Sequence, residues 1–264
     1  MNAPVIVTLC STPRLAHLRN QLRATADHPR VVVWIGDDEA PELDAEVVVH
    51  VPPGPDGLRL AAARNAGARA ATTLGADLLV FLDADCVPGP HLVAHYRVAA
   101  RRHPDAVLCG PVTYLPAGAE LDPAALAAAT APHTARPAPE AGALVRAGQD
   151  EYPLFWSLSF ATTPAVWNAV GGFDEVYAGY GGEDTDFAFT LREGGVPLVW
   201  VGGADAYHQH HATSSPPWQH LDDILRNGAI FAAKWGAWPM TGWLEAFETG
   251  GAVERTPDGW RRVG

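Results

Sequence analysis

The sequence predicts an α/β protein built on a mostly parallel, doubly wound sheet. Three observations carry that prediction. Short apolar runs alternate with helix-period segments through the first 110 residues. The runs are apolar throughout, as strands covered on both faces must be. Acidic residues or glycines stand where several of the runs end, and in such a sheet ligands gather along the strands' C-terminal edge.

Pro4–Leu9 is the first apolar run, and Arg14–Thr25 then places Leu15, Leu18 and Leu22 on one helical face. Val31–Ile35 reads as a second buried strand ending at Gly36-Asp37-Asp38, and Val47–Val51 as a third. Leu58–Leu74 is an Ala-rich helix. Leu78–Leu82 is a fourth strand, stopping at Asp83-Ala84-Asp85 with Pro88 and Pro90 just beyond. From about Ala117 to Gly148 the composition turns to Ala, Pro and Gly. One short helix near Pro123–Ala129 and then a mobile loop are expected, either a tolerated linker or a lid. Leu154–Thr163 is strand-like, and Pro164–Val170 fits a short helix opened by proline. The Gly-rich, acidic stretch Gly171–Asp186 leads into a helix to about Glu193, and Val196–Val201 is another buried strand, followed by His208, His210 and His211. The tail from Trp218 is helical at first and carries Trp218, Trp235, Trp238, Trp243 and Trp260. There is no internal repeat and no glycine-rich phosphate loop of the GxGxxG or Walker type.

Composition narrows the function. The 264 residues are 48% hydrophobic, enough for a sizeable core. Lys plus Arg number 18 against 30 Asp plus Glu, a formal charge of −12. Such a surface repels nucleic-acid backbones and anionic lipid, so neither is an expected partner. A bound nucleotide then needs local help, most simply a divalent cation held by carboxylates. Cys10, Cys86 and Cys109 are too few for a disulfide framework and match no zinc spacing. The opening MNAPVIVTLCSTPR lacks the basic and long apolar regions of a signal peptide, and no apolar run is long enough to span a bilayer. The expectation is a soluble, cytoplasmic protein.

Three clusters carry chemistry. Asp83-Ala84-Asp85 emerges abruptly from the apolar LLVFL run. At the turn beyond a strand two such carboxylates converge, repel each other, and are reconciled by Mn²⁺ or Mg²⁺, which also binds phosphate oxygens. An ordinary capping role for Asp83 and a solvated Asp85 is the structural alternative. In Gly179-Tyr180-Gly181-Gly182-Glu183-Asp184-Thr185-Asp186 the glycines permit a close backbone approach, and Glu183-Asp184 fall at a helix N-terminus, where the dipole favours carboxylates. Here the structural alternative is that Asp184 or Thr185 merely caps the helix. Asp205-Ala206-Tyr207-His208-Gln209-His210-His211 follows a buried strand and offers an imidazole to complete an Asp–metal site.

Together, and in this order, the clusters resemble the GT-A fold glycosyltransferases. The N-terminal half is similar to family 2, through Gly36-Asp37-Asp38, Ala63-Arg64-Asn65-Ala66-Gly67 and Val80-Phe81-Leu82-Asp83-Ala84-Asp85. The stretch from Ser159 through Gly172-Phe173 to Gly179–Asp186, with Tyr207-His208-Gln209, resembles the β-1,4-galactosyltransferases. The resemblance implies a GT-A sheet, a nucleotide-sugar-binding half over 1–110, an acceptor and catalytic half over 111–217, and a helical, Trp-rich tail over 218–264. It implies donor binding by Thr8, Arg14, Asp37, Asp38, Arg64, Asn65, Asp83 and Ala84, with metal ligation by Asp85 and His208. Asp184 becomes the general base, aided by Glu183, and Trp156, Tyr180, Gly181 and Gly182 form the acceptor side. The implied reaction is inverting, metal-dependent transfer from a nucleotide-diphosphate sugar, UDP being the expected carrier, to a carbohydrate or glycosylated small-molecule acceptor. Tyr180 stands where the galactosyltransferases carry Trp, and neither their membrane stem nor an acceptor domain is recognisable. A nucleotidyltransferase would open with a Gly-rich basic loop, but the loop here reads Cys10-Ser11-Thr12-Pro13-Arg14. A non-catalytic sugar-binding module would be expected to lack the base or the metal residues.

Overall fold

The computed structural model describes residues 3–263. β1 (Ala3–Cys10) is buried along nearly its whole length, and its side chains divide by parity. Val5, Val7 and Leu9 enter one apolar layer and Ile6 enters the other. α1 (Leu15–Ala24) follows a single 3-10 turn and buries Leu18, Gln21 and Leu22. β2 (Arg30–Trp34) and β3 (Val47–His50) extend the sheet in parallel on one side of β1. α2 (Leu60–Thr73) crosses back to β4 (Ala76–Leu82), which pairs in parallel on the other side. Gly67 lets α2 close on the sheet: a Cβ there would lie 2.4 Å from Val7 Cγ1 and 3.0 Å from Val33 Cγ2.

Beyond the turn at Asp83–Asp85 the chain forms β5 (Cys86–Pro88), α3 (Leu92–Arg102), β6 (Val107–Cys109) and β7 (Val112–Tyr114). α4 (Pro123–Ala128), β8 (Leu144–Arg146), β9 (Ser159–Thr162) and α5 (Pro164–Val170) follow, then α6 (Glu183–Glu193), β10 (Leu198–Val201) and β11 (Ala206–His208). The main sheet has eight strands in the order β3-β2-β1-β4-β9-β6-β10-β8, with β9 and β8 antiparallel to their neighbours. A second sheet, β5-β11-β7, stands at its C-terminal edge. Aromatic rings tie α6 to the sheet: Phe187 lies 6.2 Å from Phe160 of β9 and stacks at 4.3 Å on Phe173 of the loop after α5. The three cysteines are buried and free. Among the described residues no helix is long and apolar enough to cross a membrane.

Two expectations about organisation change. The Ala/Pro/Gly segment is not one long loop after α4, because β8 adds an edge strand to the main sheet. Arg136, also in this segment, is buried with its guanidinium over the rings of Trp156 and Trp200. The tail is not helical throughout. α7 (Leu221–Trp235) and α8 (Thr241–Thr249) are followed by a hairpin of β12 (Val253–Thr256) and β13 (Gly259–Arg262). Strands of three or four residues carry too little periodicity to be legible in sequence.

Candidate active site

The Asp83–Asp85 turn is tight: Cys86 N donates to the Asp83 carbonyl at 2.8 Å, and Asp83 N to the Leu158 carbonyl at 3.0 Å. The turn feeds directly into β5, whose antiparallel partner β11 sets His208 opposite Cys86. That register carries the imidazole to Asp85. His208 Nε2 lies 3.6 Å from Asp85 Oδ1, and His211 Nε2 lies 3.2 Å from Oδ2. One ligand atom from each of Asp85, His208 and His211 falls within 4.8 Å of the others. Arg14 Nε donates to Asp85 Oδ2 at 3.0 Å. Burial works against the Asp85 carboxylate, but His211, His208 and Arg14 outweigh it and hold its pKa below the ordinary value. Burial lowers the His208 pKa, which favours the neutral, ligating form.

Next to this triad is a cavity of about 420 Å³ lined by eight of the residues singled out in the sequence: Arg64, Asp83, Trp156, Tyr180, Gly181, Gly182, Glu183 and Asp184. Tyr114 joins the two regions, because it lines the cavity and stacks on His208 at 4.5 Å. Arg64 is the electrostatic centre. Its guanidinium lies 3.4 Å from Glu183, 3.7 Å from Asp83 and 3.8 Å from Asp184, and donates to Ser157 Oγ at 2.5 Å. Burial opposes that cation, yet Asp184, Asp83 and Glu183 together raise its pKa. Burial also raises the pKa of Asp83 and of Glu183, in the latter case with Asp184 adding to the effect.

Asp184 does not cap its helix. Gly182 occupies that position, and Asp184 Oδ2 instead accepts from Ser157 N at 2.9 Å and from Ser157 Oγ at 3.0 Å. Its Oδ1 is buried without a hydrogen bond, 3.8 Å from the Arg64 guanidinium, while the side chain as a whole keeps 29% exposure at the cavity. Gly181 and Gly182 have φ of 87° and 94°, and a Cβ on Gly181 would meet Met240 Sδ at 2.8 Å. Asp186 does not line the cavity. It is buried and fully engaged by Tyr177 Oη, Trp235 Nε1 and Lys234 Nζ.

Three expected donor residues point elsewhere. Thr8 is buried below the edge, where its hydroxyl donates to Gln21 Oε1 at 2.7 Å. Asn65 spends its amide on the loop after α5, donating to the Phe173 carbonyl and to Glu175 Oε1 and accepting from Phe173 N, each at 2.9 Å. The methyl of Ala84 packs in the apolar cluster under α1 with Cys10, Leu18 and Trp34. Asp37 and Asp38 are exposed after β2 and do not line the cavity. Sequence reasoning missed His211 as a third candidate ligand, Ser157 and Tyr114. It also missed Met240 and Trp243, which the C-terminal segment contributes to the cavity. Only His211 had a signal, its place in the histidine cluster.

Residues 12–137 match the model of "Glycosyl transferase family 2", and residues 146–212 match "N-terminal domain of galactosyltransferase". Two validoxylamine A glucosyltransferases, from Streptomyces hygroscopicus subsp. jinggangensis (strain 5008) and subsp. limoneus, are each 30% identical over 194 residues. The match takes in 64% of this chain but only 45% and 42% of theirs, so this chain spans under half of those relatives. In fold it is similar to S. aureus TarS, with a TM-score of 0.56 and 12% identity over 88% of this chain and 39% of that one. GalNAc-T7, solved with UDP, GalNAc and Mn²⁺, gives 0.56 and 13% over 95% of this chain and 58% of that one.

Proposed function

Starting from a chain that belongs to the GT-A glycosyltransferases, with a family 2 front half and a galactosyltransferase-type segment behind it, we propose that it is a metal-dependent, inverting hexosyltransferase. The donor in this reading is a UDP-sugar and the acceptor a hydroxyl on a small carbohydrate-like molecule. The relatives named for glucosyl transfer to validoxylamine A make glucose the first sugar to test. One observation carries the reading: Asp85, His208 and His211 converge beside a cavity lined by a partly exposed carboxylate, Asp184.

One carboxylate and two imidazoles suit Mn²⁺ better than Mg²⁺, which prefers an all-oxygen shell. The donor set therefore fits the expected ion, with Asp85, His208 and His211 as its holders. Such an ion supplies Lewis-acid charge against a departing diphosphate. Arg14 stands beside the same cluster as a cation for the donor's phosphates, and Asp37 and Asp38 are candidates for the base and ribose. On the acceptor side Asp184 takes the proton of the attacking hydroxyl, a role supported by the 29% exposure of its side chain at the cavity. Ser157 fixes the carboxylate's orientation from one side and Arg64 from the other. Attack from the face opposite the leaving group inverts the anomeric centre. Tyr180, Trp243 and Trp156 offer aromatic faces to the C–H face of a sugar ring.

The test is calorimetric titration of UDP with and without Mn²⁺, on the wild type and on Asp85→Ala, beside UDP release from UDP-glucose. Mn²⁺-dependent UDP affinity that disappears in the variant is expected. Undiminished affinity in Asp85→Ala would remove the metal assignment.

A further inference from the structure

Two buried side-chain amides grip the two turns that carry the site. Gln21 lies on α1 within its apolar stripe, beside Leu18 and Leu22. Its Nε2 donates to the carbonyls of Asp83 at 2.6 Å and Cys86 at 2.8 Å, with a longer contact to Leu82 at 3.4 Å. Thr8 Oγ1 donates to its Oε1 and so fixes which way the amide faces. Asn227 holds the matching place on α7, between Ile224 and Phe231. Its Nδ2 donates to Gly181 O at 2.7 Å, Ala178 O at 2.9 Å and Tyr180 O at 3.2 Å. Each amide is 1% exposed.

Turn carbonyls inside a protein need donors as strictly as strand carbonyls do. A primary amide brings two N–H groups to one point, which no hydroxyl can do. We propose that Gln21 and Asn227 are positioning residues for separate halves of the reaction. Gln21 sets the Asp83–Asp85 turn for the metal, and Asn227 sets the Gly179–Gly182 turn, and through it Glu183 and Asp184, for proton removal. The functional half of this inference rests on the reading above; the clamps themselves do not.

The experiment uses the whole chain and four variants: Gln21→Met, Gln21→Glu, Asn227→Leu and Asn227→Asp. The Glu and Asp variants keep size and replace two N–H donors by at most the one O–H of a neutral acid. They therefore weaken each clamp by a second route where an apolar variant does not fold. Three quantities are measured: amide hydrogen exchange, the affinity for Mn²⁺ alone, and UDP-glucose hydrolysis at saturating metal and donor. A crossed pattern is expected. Gln21 variants exchange faster over 82–88 and lose tenfold or more in Mn²⁺ affinity, by analogy with groups that orient metal ligands. Asn227 variants exchange faster over 178–183, keep the Mn²⁺ affinity, and hydrolyse donor at least tenfold more slowly. Unchanged local exchange overturns the clamps. Faster exchange with wild-type Mn²⁺ affinity and turnover makes the amides purely structural and overturns the positioning roles. A wild type that binds no Mn²⁺ overturns the Gln21 role together with the metal reading, while exchange still decides the clamp.

Discussion

Arg64→Met removes the one buried cation among Glu183, Asp83 and Asp184, while its apolar chain keeps the place over the Phe173 ring. The three contacts lie between 3.4 and 3.8 Å. At an effective dielectric near 20, each is a gross attraction of about 4 kcal/mol. Desolvation of the guanidinium cancels much of that sum, and removing one partner of such a buried set costs about 3–5 kcal/mol. In a chain of this size that loss lowers Tm by about 10 °C. The effect has a sign in pH. Glu183 already has a raised pKa through burial and Asp184, so its contribution is present at acid pH and lost as pH rises through the folded-state value of about 7. Without Arg64 that value climbs further, and the deficit against wild type is larger at pH 8 than at pH 5. Urea unfolding followed by tryptophan fluorescence at both pH values measures this. A loss under about 1 kcal/mol at pH 8 would refute the picture of Arg64 as the common counterion, as would a deficit that shrinks toward alkaline pH.

Asp184→Asn keeps the shape and the contact with Ser157 but cannot take a proton, so transfer should fall about 10²-fold or more while Mn²⁺ and UDP binding stay near wild type. Glu183→Gln should cost less, and full activity in Asp184→Asn would move the base to Glu183. His211→Ala should weaken Mn²⁺ binding measured by calorimetry without changing the fold, because the residue lies past the end of β11 and outside the sheets; equal affinity would return the site to Asp85 and His208 alone. Gly67→Ala pushes a methyl into Val7 and Val33 and should cost about 1–3 kcal/mol in urea unfolding.

The local parts of this protein were legible in its sequence. β1, β2 and β4 are apolar runs long enough to declare themselves, and Asp83, Asp85, Glu183 and Asp184 stand out because acids interrupt apolar or glycine-rich sequence. The order of the clusters also carried the family. What each polar atom touches was decided in three dimensions. The pairing of β5 with β11 brings His208 and His211 to Asp85 across more than a hundred residues, and three-residue strands leave no periodic trace. Thr8 and Asn65 have the chemistry of ligand-binding residues but turn inward, because buried partners needed their hydrogen bonds. Gln21 and Asn227 look like interruptions of an apolar helical stripe until the carbonyls opposite them are known. Residue type and spacing fix which groups are available. Only the packed chain fixes which of them face each other, because a buried polar group takes the partner that space provides.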